Sequence, residues 1–384
     1  MFLAPSLQPL TPSSAYIHVP FCRHRCGYCN FTLVAGRDDL IDAYLEAVEK
    51  EMAGLGQPHE VRTLFFGGGT PTHLSPVQLR RLFSAVDRWF PRAVDYEFSV
   101  EANPIDLDAE RVAVLEEFGV TRISLGVQSF DDAKLTLLER DHRRAEIEAA
   151  FARLRGRIRS ISLDLIFGVP RETMTVWQAD LQAALELGPD HVSTYGLTFE
   201  RGTQYWSRKL KHELSPVDEE LERQMYESSI DTLTAAGFEH YEVSNFARSE
   251  HRCRHNEVYW TGGGYFAVGP GAARFVNGRR EINHRSTTTY IKRLLSRQSP
   301  VADSEQLGPE DAARERLVFG LRRLAGVDRD EFAAQTGFGI EELGSKALCQ
   351  SIEAGLLIWE GTRLRLTRAG LMVSDAIWPN FLRV

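Results

Sequence analysis

The sequence predicts an α/β fold, in which helices flank a parallel sheet and a small α+β domain follows at the C-terminal end. Strand and helix patterns alternate over roughly the first two hundred residues, as they do in right-handed βαβ units. The pattern then changes to helices around a glycine- and aromatic-rich stretch, 259–278. After a polar segment with two prolines, 298–310, the chain ends in helices and two short strands.

Six apolar runs in the first part predict strands, and helical patterns lie between them. We expect strands at 14–20, 63–66, 96–101, 122–128, 160–167 and 191–197. We expect helices at 38–54, 75–89, 108–118, 142–155 and 175–187. Ser75 and Thr173 are typical of helix starts, and Gly119 and Gly188 of helix ends. Six such strands fit either a partial (β/α) barrel or a doubly wound sheet, and periodicity does not choose between them.

The second half of the chain predicts further helices and a final hairpin. The helices are expected near 216–236 and 286–297, and then at 311–324, 328–336 and 340–355. The segment 356–370 indicates two short strands around Glu360-Gly361. These patterns suggest an N-terminal tail at 1–13, a sheet domain at 14–215, an extension at 216–300, a linker at 298–310 and a winged-helix-like domain at 311–384.

Composition excludes several classes of protein. The chain has 384 residues, of which 43% are hydrophobic and 26% are charged, so it is a folded globular protein. A net charge of −8 argues against general nucleic-acid binding. No apolar run approaches the roughly 18 residues of a membrane span. The first residues do not form a signal peptide, and we therefore expect a cytoplasmic location. Oligomeric state and peripheral membrane contact stay open.

Three cysteines within eight residues form the strongest motif. Cys22, Cys26 and Cys29 follow the first predicted strand. Three thiolates can hold three irons of a [4Fe–4S] cluster and leave the fourth iron open, whereas a closed tetrahedral zinc site needs a fourth ligand. Arg23 and Arg25 favour the thiolate form. On spacing alone zinc stays the alternative, completed by His18, His24 or Cys253.

The cysteine spacing resembles the CxxxCxxC signature of the radical S-adenosylmethionine (SAM) superfamily, in which SAM chelates the open iron. Further motifs resemble the oxygen-independent coproporphyrinogen III oxidase-like family, in the family's order. They are residues 16–22 (YIHVPFC), 67–72 (GGGTPT), 101–104 (EANP), 126–129 (GVQS) and 164–166 (DLI). The resemblance implies a partial (β/α)6 radical SAM barrel with one [4Fe–4S] cluster and SAM at the C-terminal ends of the strands.

Residues at consecutive strand ends resemble the family's SAM contacts. They are Tyr16, Tyr28, Gly68, Gly69, Thr70, Glu101, Gln128, Arg140 and Asp164. The residues themselves agree with this, because sites in parallel barrels project from the C-terminal strand ends and glycine lets backbone approach a ligand. Each polar residue alone could equally be a satisfied structural group. Together they predict a ring around a polar ligand.

Two features separate this chain from the oxidases of the family. The oxidase pattern is CxxxCxxCxC, and Phe31 stands at the place of its fourth cysteine; the oxidases also carry a long N-terminal extension. In both respects the chain resembles the haem-chaperone branch, HemW. It also carries the HNxxYW motif of that branch, at His255–Trp260. The resemblance implies that the protein binds haem, with His255 as axial ligand, and passes it to an acceptor haem protein. An oxidase converting coproporphyrinogen III to protoporphyrinogen IX stays the alternative.

The remaining candidate residues also have structural or surface interpretations. On composition alone His255 would be a buried hydrogen-bonding histidine. Cys253 could be a second ligand for haem, but we expect it to be a surface thiol, and we expect Cys349 to lie in the core. A radical SAM enzyme that modifies RNA is a second alternative, but the arginines that would carry it are expected to form a solvated face. They are Arg153, Arg155, Arg157, Arg159, Arg363, Arg365 and Arg368.

Overall fold

The computed structural model describes residues 12–382. The expected tail, 1–13, therefore lies outside the described residues except for Pro12 and Ser13. In chain order the first strands are β1 (Ser14–Val19), β2 (Phe21–Cys22), β3 (Val34–Ala35), β4 (Val61–Gly68), β5 (Arg92–Ala102), β6 (Arg122–Gln128), β7 (Ser160–Phe167) and β8 (His191–Gly196). The later strands are β9 (Glu239–Glu242), β10 (Asn245–Ala247), β11 (Phe266–Val268), β12 (Ala273–Val276), β13 (Arg279–Asn283), β14 (Val301–Gln306), β15 (Val327–Asp328), β16 (Leu357–Glu360) and β17 (Arg363–Leu366).

Helices follow most of these strands. The first eight are α1 (Ile41–Ala53), α2 (Pro76–Trp89), α3 (Ala109–Glu117), α4 (Asp132–Leu137), α5 (Arg144–Leu154), α6 (Met174–Leu187), α7 (Gln204–Leu210) and α8 (Glu219–Ala235). The others are α9 (Arg254–Trp260), α10 (Thr287–Leu295), α11 (Pro309–Leu321), α12 (Arg329–Thr336), α13 (Ile340–Glu353), α14 (Arg368–Met372) and α15 (Ser374–Ile377).

A nine-stranded sheet organises the molecule, in the order β11-β1-β4-β5-β6-β7-β8-β10-β9. Neighbours from β11 to β8 are parallel, and β10 pairs antiparallel with both β8 and β9. The sheet keeps two edges, so the barrel is partial, as expected. All six expected strands are present, and β4 and β5 are longer than predicted. Parallel order places the C-terminal ends of β1 and β4 to β8 along one rim.

Amphipathic helices cover the outside of the sheet. In α2, Leu79, Leu82, Phe83 and Val86 repeat at helical spacing and are buried. Ser75 accepts from Gln78 in a capping box, which fixes the start of this helix. Gly188 ends α6 with a φ of 70°, a conformation that glycine adopts without strain. The helix-end signals in the sequence were therefore sufficient to locate these elements.

The C-terminal part contains helices α11 to α13 and a β16–β17 hairpin, with β15 beside β17. This is the arrangement expected of a winged-helix-like unit. The expected linker at 298–310 is wrong, because β14 occupies Val301–Gln306 and pairs antiparallel with β13. Five of its six residues are exposed, so the strand carries no buried alternation that the sequence could reveal. Among residues 12–382, no helix is long and apolar enough to cross a membrane.

Candidate functional site

The cysteine loop, residues 22–29, lies against the rim and is fixed to two strand ends. The Cys22 Sγ lies 3.3 Å from the Thr70 Oγ1 beyond β4, and the Cys26 Sγ lies 3.8 Å from an Arg140 guanidinium nitrogen. The Gly27 N–H donates to Glu139 at 2.7 Å, and the Tyr205 N–H donates to the Gly27 carbonyl at 2.9 Å. Contacts with Thr70, Glu139, Arg140 and Tyr205 therefore fix the loop in place.

The three thiols are close enough to influence one another's ionisation. Burial raises the pKa of Cys22 to about 12, the Thr70 hydroxyl lowers it, and the nearby Cys29 and Cys26 raise it further. Burial likewise raises the pKa of Cys29. No three His, Cys, Asp or Glu side chains within residues 12–382 converge on a single metal ion. A cubane needs each thiolate on a different iron, and these three cysteines could supply three such thiolates.

Two of the three residues proposed to complete a zinc site, His18 and Cys253, are engaged elsewhere. A ring nitrogen of His18 lies 2.6 Å from the Thr32 carbonyl, and the other lies 3.0 Å from the Tyr16 hydroxyl. His24 lies 3.5 Å from the Cys26 sulfur but also contacts the Glu139 carbonyl. Cys253 is buried beside Glu97, away from the cysteine loop. Its expected surface position is wrong, because it precedes α9 inside the barrel.

The glycines after β4 bring backbone against the cysteine loop. The N–H groups of Gly69 and Thr70 donate to the Val19 and Phe21 carbonyls, each at 2.8 Å. A Cβ on Gly69 would lie 2.7 Å from the Phe21 carbonyl oxygen, closer than real contacts allow. Gly68 has a φ of 106°, which favours glycine. These residues thus have both a spatial and a conformational reason to be glycine.

Glu101 and Asp164 place two carboxylates inside the rim. Glu101 accepts from the Gly68 N–H at 3.0 Å, and Asp164 accepts from the Ser124 hydroxyl at 2.9 Å. Burial, and then repulsion by Asp164, raises the pKa of Glu101 to about 7. Burial also raises the pKa of Asp164, against hydrogen bonds from Ser124 and Ser193. Buried acceptors of this kind suit a ligand that carries positive charge and hydrogen-bond donors.

Arg140 joins the cysteine loop to the end of β6. It donates to the Gly126 carbonyl at 3.0 Å, and its Nε is buried without a hydrogen-bond partner among the described residues. Gln128, beside it, has a φ of 65°. Tyr28 packs edge-on against Tyr205, with ring centroids 6.0 Å apart, and interacts with Arg140. The unpartnered Nε is suited to an anionic oxygen such as a carboxylate.

A cavity of about 220 Å³ lies below these residues in the barrel. Tyr16, Glu101 and Asp164 line it together with residues that sequence reasoning missed. The missed residues are Phe65, Arg122, Ser124, His191, Ser193, Tyr195 and Asn245. A usable signal was present in β6, because Arg122 and Ser124 alternate there with the apolar Ile123 and Leu125.

The HNxxYW motif lies in helix α9, which packs inside the barrel. His255, Asn256 and Tyr259 line the cavity. Trp260 turns to the C-terminal part instead, where the Arg322 guanidinium lies 4.6 Å from its ring centroid. His255 and Tyr259 are four residues apart and share one face of this short helix, whereas Trp260 lies on another face. The motif therefore contributes side chains to two surfaces.

His255 is buried and bonded at both ring nitrogens. Its Nδ1 lies 2.9 Å from the Thr63 Oγ1, and its Nε2 lies 2.8 Å from the Tyr259 hydroxyl. Thr63 donates to the Ser14 hydroxyl, so Nδ1 donates to Thr63 and Nε2 keeps its lone pair for Tyr259. Burial lowers the pKa of His255 to about 3, so the ring is neutral. A metal at His255 would have to displace the Tyr259 hydroxyl.

Comparisons with known proteins agree with this architecture. Residues 16–184 match the Radical SAM superfamily model, and residues 307–373 match the HemN C-terminal domain. The chain is 36% identical over 375 residues to "Heme chaperone HemW" of Bacillus subtilis, covering 96% of this chain and 99% of that protein. It is 39% identical over 333 residues to the Synechocystis protein of the same name, covering 83% and 80%.

A solved structure shares the fold over nearly the whole length. It is that of coproporphyrinogen III oxidase (HemN) from Escherichia coli, with a TM-score of 0.85 and 22% identity, covering 98% of this chain and 92% of the other. The partial barrel, the C-terminal unit and the full-length similarity to the Bacillus subtilis protein lead to one assignment. The chain belongs to the radical SAM superfamily and, within it, to the HemW family.

Proposed function

We propose that this protein is a haem chaperone, which binds haem and delivers it to a haem-dependent protein in the cytoplasm. The observation that carries the proposal is the similarity, over 96% of the chain, to a protein named as a heme chaperone. Phe31 supports a chaperone rather than an oxidase, because its side chain stands 64% exposed where the oxidase pattern has cysteine. The chain would also bind one [4Fe–4S] cluster and SAM.

The cluster would be held by Cys22, Cys26 and Cys29. Their mutual proximity supports this, as does the rigid loop that carries them. When bound, the cluster would supply a redox-active iron with an open coordination position. Around it, Arg140 would hold an anionic group with its unpartnered Nε, and Glu101 would accept from a cationic one.

The first experiment measures iron and sulfide after anaerobic reconstitution. We expect both to approach about four per chain, and alanine at any one of the three cysteines should remove most of them. Cys349→Ala is the matched control, because that thiol is exposed on α13 and should not affect the content. Stoichiometric zinc without sulfide would overturn the cluster assignment.

SAM would lie along the ring predicted from the sequence. Its members are Tyr16, Tyr28, Gly68, Gly69, Thr70, Glu101, Gln128, Arg140 and Asp164. We expect Glu101→Ala and Asp164→Ala each to weaken SAM binding by roughly 1.5–3 kcal/mol, since each removes a charged partner. Asp303→Ala, at an exposed position on β14, is the control. Unchanged affinity in both variants, with the cluster intact, would show that SAM binds elsewhere.

Parallel assays separate the chaperone from an oxidase. The reconstituted protein should bind haem and should not convert coproporphyrinogen III to protoporphyrinogen IX. Robust conversion with consumption of SAM would replace the chaperone proposal by the oxidase. We do not propose an RNA-modifying function, because the arginines considered for it are on solvated positions: Arg157 pairs with Glu116 at 3.4 Å, and Arg155 donates to the Leu187 carbonyl at 2.5 Å.

A further inference from the structure

We propose that haem docks on a rim patch formed by Arg25, Phe31 and Arg285, beside the cysteine loop. The inference rests on the proposed function and names the surface that first receives the haem. Phe31 is 64% exposed, although it lies only two residues beyond Cys29. A large aromatic ring kept in water next to a functional loop is suited to stack on a flat apolar partner.

Two arginines bind the short segment that carries this ring, residues 29–33. Arg25 donates to the Cys29 and Leu33 carbonyls, at 3.4 and 2.6 Å. Arg285 donates to the Thr32 hydroxyl at 3.1 Å and to the Asn30 carbonyl at 3.0 Å. Both side chains are exposed, and both are oriented by neutral backbone and hydroxyl oxygens.

Neither Arg25 nor Arg285 has a carboxylate partner among residues 12–382. Arg23, in the same loop, differs, since it lies 3.1 Å from Asp106 and 3.5 Å from Asp141. Arg37 is likewise paired with Asp39, at 2.8 Å. The patch therefore presents two positive charges that the described protein does not neutralise. Such charges favour an anionic ligand.

Haem matches this combination of an exposed ring and two free cations. Its macrocycle is flat and apolar, and its two propionates are anionic. The barrel cavity, at about 220 Å³, is smaller than the roughly 300–1,000 Å³ of pockets that enclose drug-sized ligands. A macrocycle larger than such ligands cannot enter the cavity in this conformation. Docking at the rim needs no opening of the cavity, whereas ligation by His255 does.

The experiment titrates the full chain with haem, anaerobically, and follows the Soret band with and without the cluster. Phe31→Ala should weaken binding about fivefold, and the double variant Arg25→Gln with Arg285→Gln about tenfold. The controls are Val94→Ala, a fully exposed position at the start of β5, and Arg37→Gln, an arginine that already has a carboxylate partner. Both controls should bind haem as the parent does.

Haem dimethyl ester tests the role of the two arginines without any substitution in the protein. It keeps the macrocycle but lacks the propionate charges, so the parent protein should bind it about tenfold more weakly than haem. The ester should be insensitive to the double arginine variant and still sensitive to Phe31→Ala. If the parent protein binds no haem, the proposed function itself fails. If it binds haem but the patch variants and the ester behave like parent and haem, only the docking site is overturned.

Discussion

Glu101 is a residue whose ionisation near neutral pH depends on the fold. It is buried between the Gly68 N–H and the neighbouring Asp164, and its pKa is raised to about 7 from an ordinary 4.5. At neutral pH the protein without ligand therefore holds this carboxyl partly protonated. A cationic ligand would favour the ionised form, so binding near pH 7 would release a proton.

The raised pKa predicts a pH dependence of stability. The folded protein binds the Glu101 proton more tightly than the unfolded chain, so this carboxyl favours folding below about pH 4.5 and loses that contribution as pH rises towards about 7. We expect the free energy of unfolding to fall across this interval by an amount on the order of 3 kcal/mol more in the parent than in Glu101→Gln. Urea unfolding at several pH values measures the difference, with exposed Glu110→Gln as control. Parallel pH profiles for parent and Glu101→Gln would contradict the assignment.

His255 carries a second prediction at the same scale. If its Nε2 binds haem iron, the iron replaces the Tyr259 hydroxyl on the same lone pair. His255→Ala should then lower haem retention or shift the Soret band, while Tyr259→Phe should not lower retention, because it removes the competing hydroxyl without removing the imidazole. Equal effects of both changes would assign His255 a packing role and relocate the ligand.

The sequence predicted the positions of some site residues but not of others. Residues at strand ends could be predicted as site residues, because parallel topology brings them to one rim. Asn245 was not predicted, because β10 has only 3 residues, too few to show an alternation. Cys253 is buried and Cys349 is exposed, the reverse of expectation. Helix α9 had not been predicted around Cys253, and the outward face of α13 cannot be read from an apolar composition alone.

At the scale of elements, a buried ion network joins three of them. The Lys134 ammonium of α4 contacts Glu172, after β7, at 2.5 Å and Asp180 of α6 at 2.8 Å. Asp180 also accepts from the Ser129 hydroxyl at 2.7 Å and from the Phe130 N–H at 2.7 Å. The network thus fixes the segment that follows Gln128 at the end of β6.

Removing the cation from this network should be costly. Lys134→Met leaves two buried carboxylates without their counter-charge, and we expect a loss of about 3–5 kcal/mol in the free energy of unfolding. Lys50→Met is the control, because that lysine pairs with Glu46 on the surface of α1 and should change stability little. Urea unfolding compares the two. Combining Lys134→Met with Asp180→Asn and Glu172→Gln should recover part of the loss; no recovery would attribute the cost to packing.

Long elements were predictable and short ones were not. The helices that cover the sheet have two or more apolar turns and clear ends, as α2 and α6 do. Helices α4, α7 and α9 have six or seven residues each, too few to show a period. They nevertheless carry Lys134, Tyr205 and His255. These three residues were thus among those least visible in hydrophobic periodicity.

At the scale of the whole molecule, the C-terminal part is joined to the barrel rather than appended to it. The Val243 N–H donates to the Arg322 carbonyl at 3.2 Å, and the Leu324 N–H donates to the Tyr241 carbonyl at 3.1 Å. Arg368 pairs with Asp231 of α8 at 2.7 Å. One hydrophobic core includes residues of both parts, from Ile17 to Phe381.

This continuity predicts cooperative unfolding. We expect calorimetry of the full chain to show one main transition, because neither part can separate without exposing shared apolar surface. Arg368→Ala with Asp231→Ala should lower the midpoint of that transition without splitting it. Two well-separated transitions in the parent protein would show that the two parts fold independently.

Burial of Lys134 also makes it a natural reporter of local opening. Amine-reactive reagents modify only a solvent-accessible amine, and in the folded protein this side chain is 4% exposed and in contact with two carboxylates. Its rate of acetylation, followed by mass spectrometry of the peptide that contains it, should therefore report how often the corner of the fold between β6, β7 and α6 opens to solvent. Ligand binding at the rim above that corner should slow the labelling of Lys134 and leave that of exposed Lys50 unchanged.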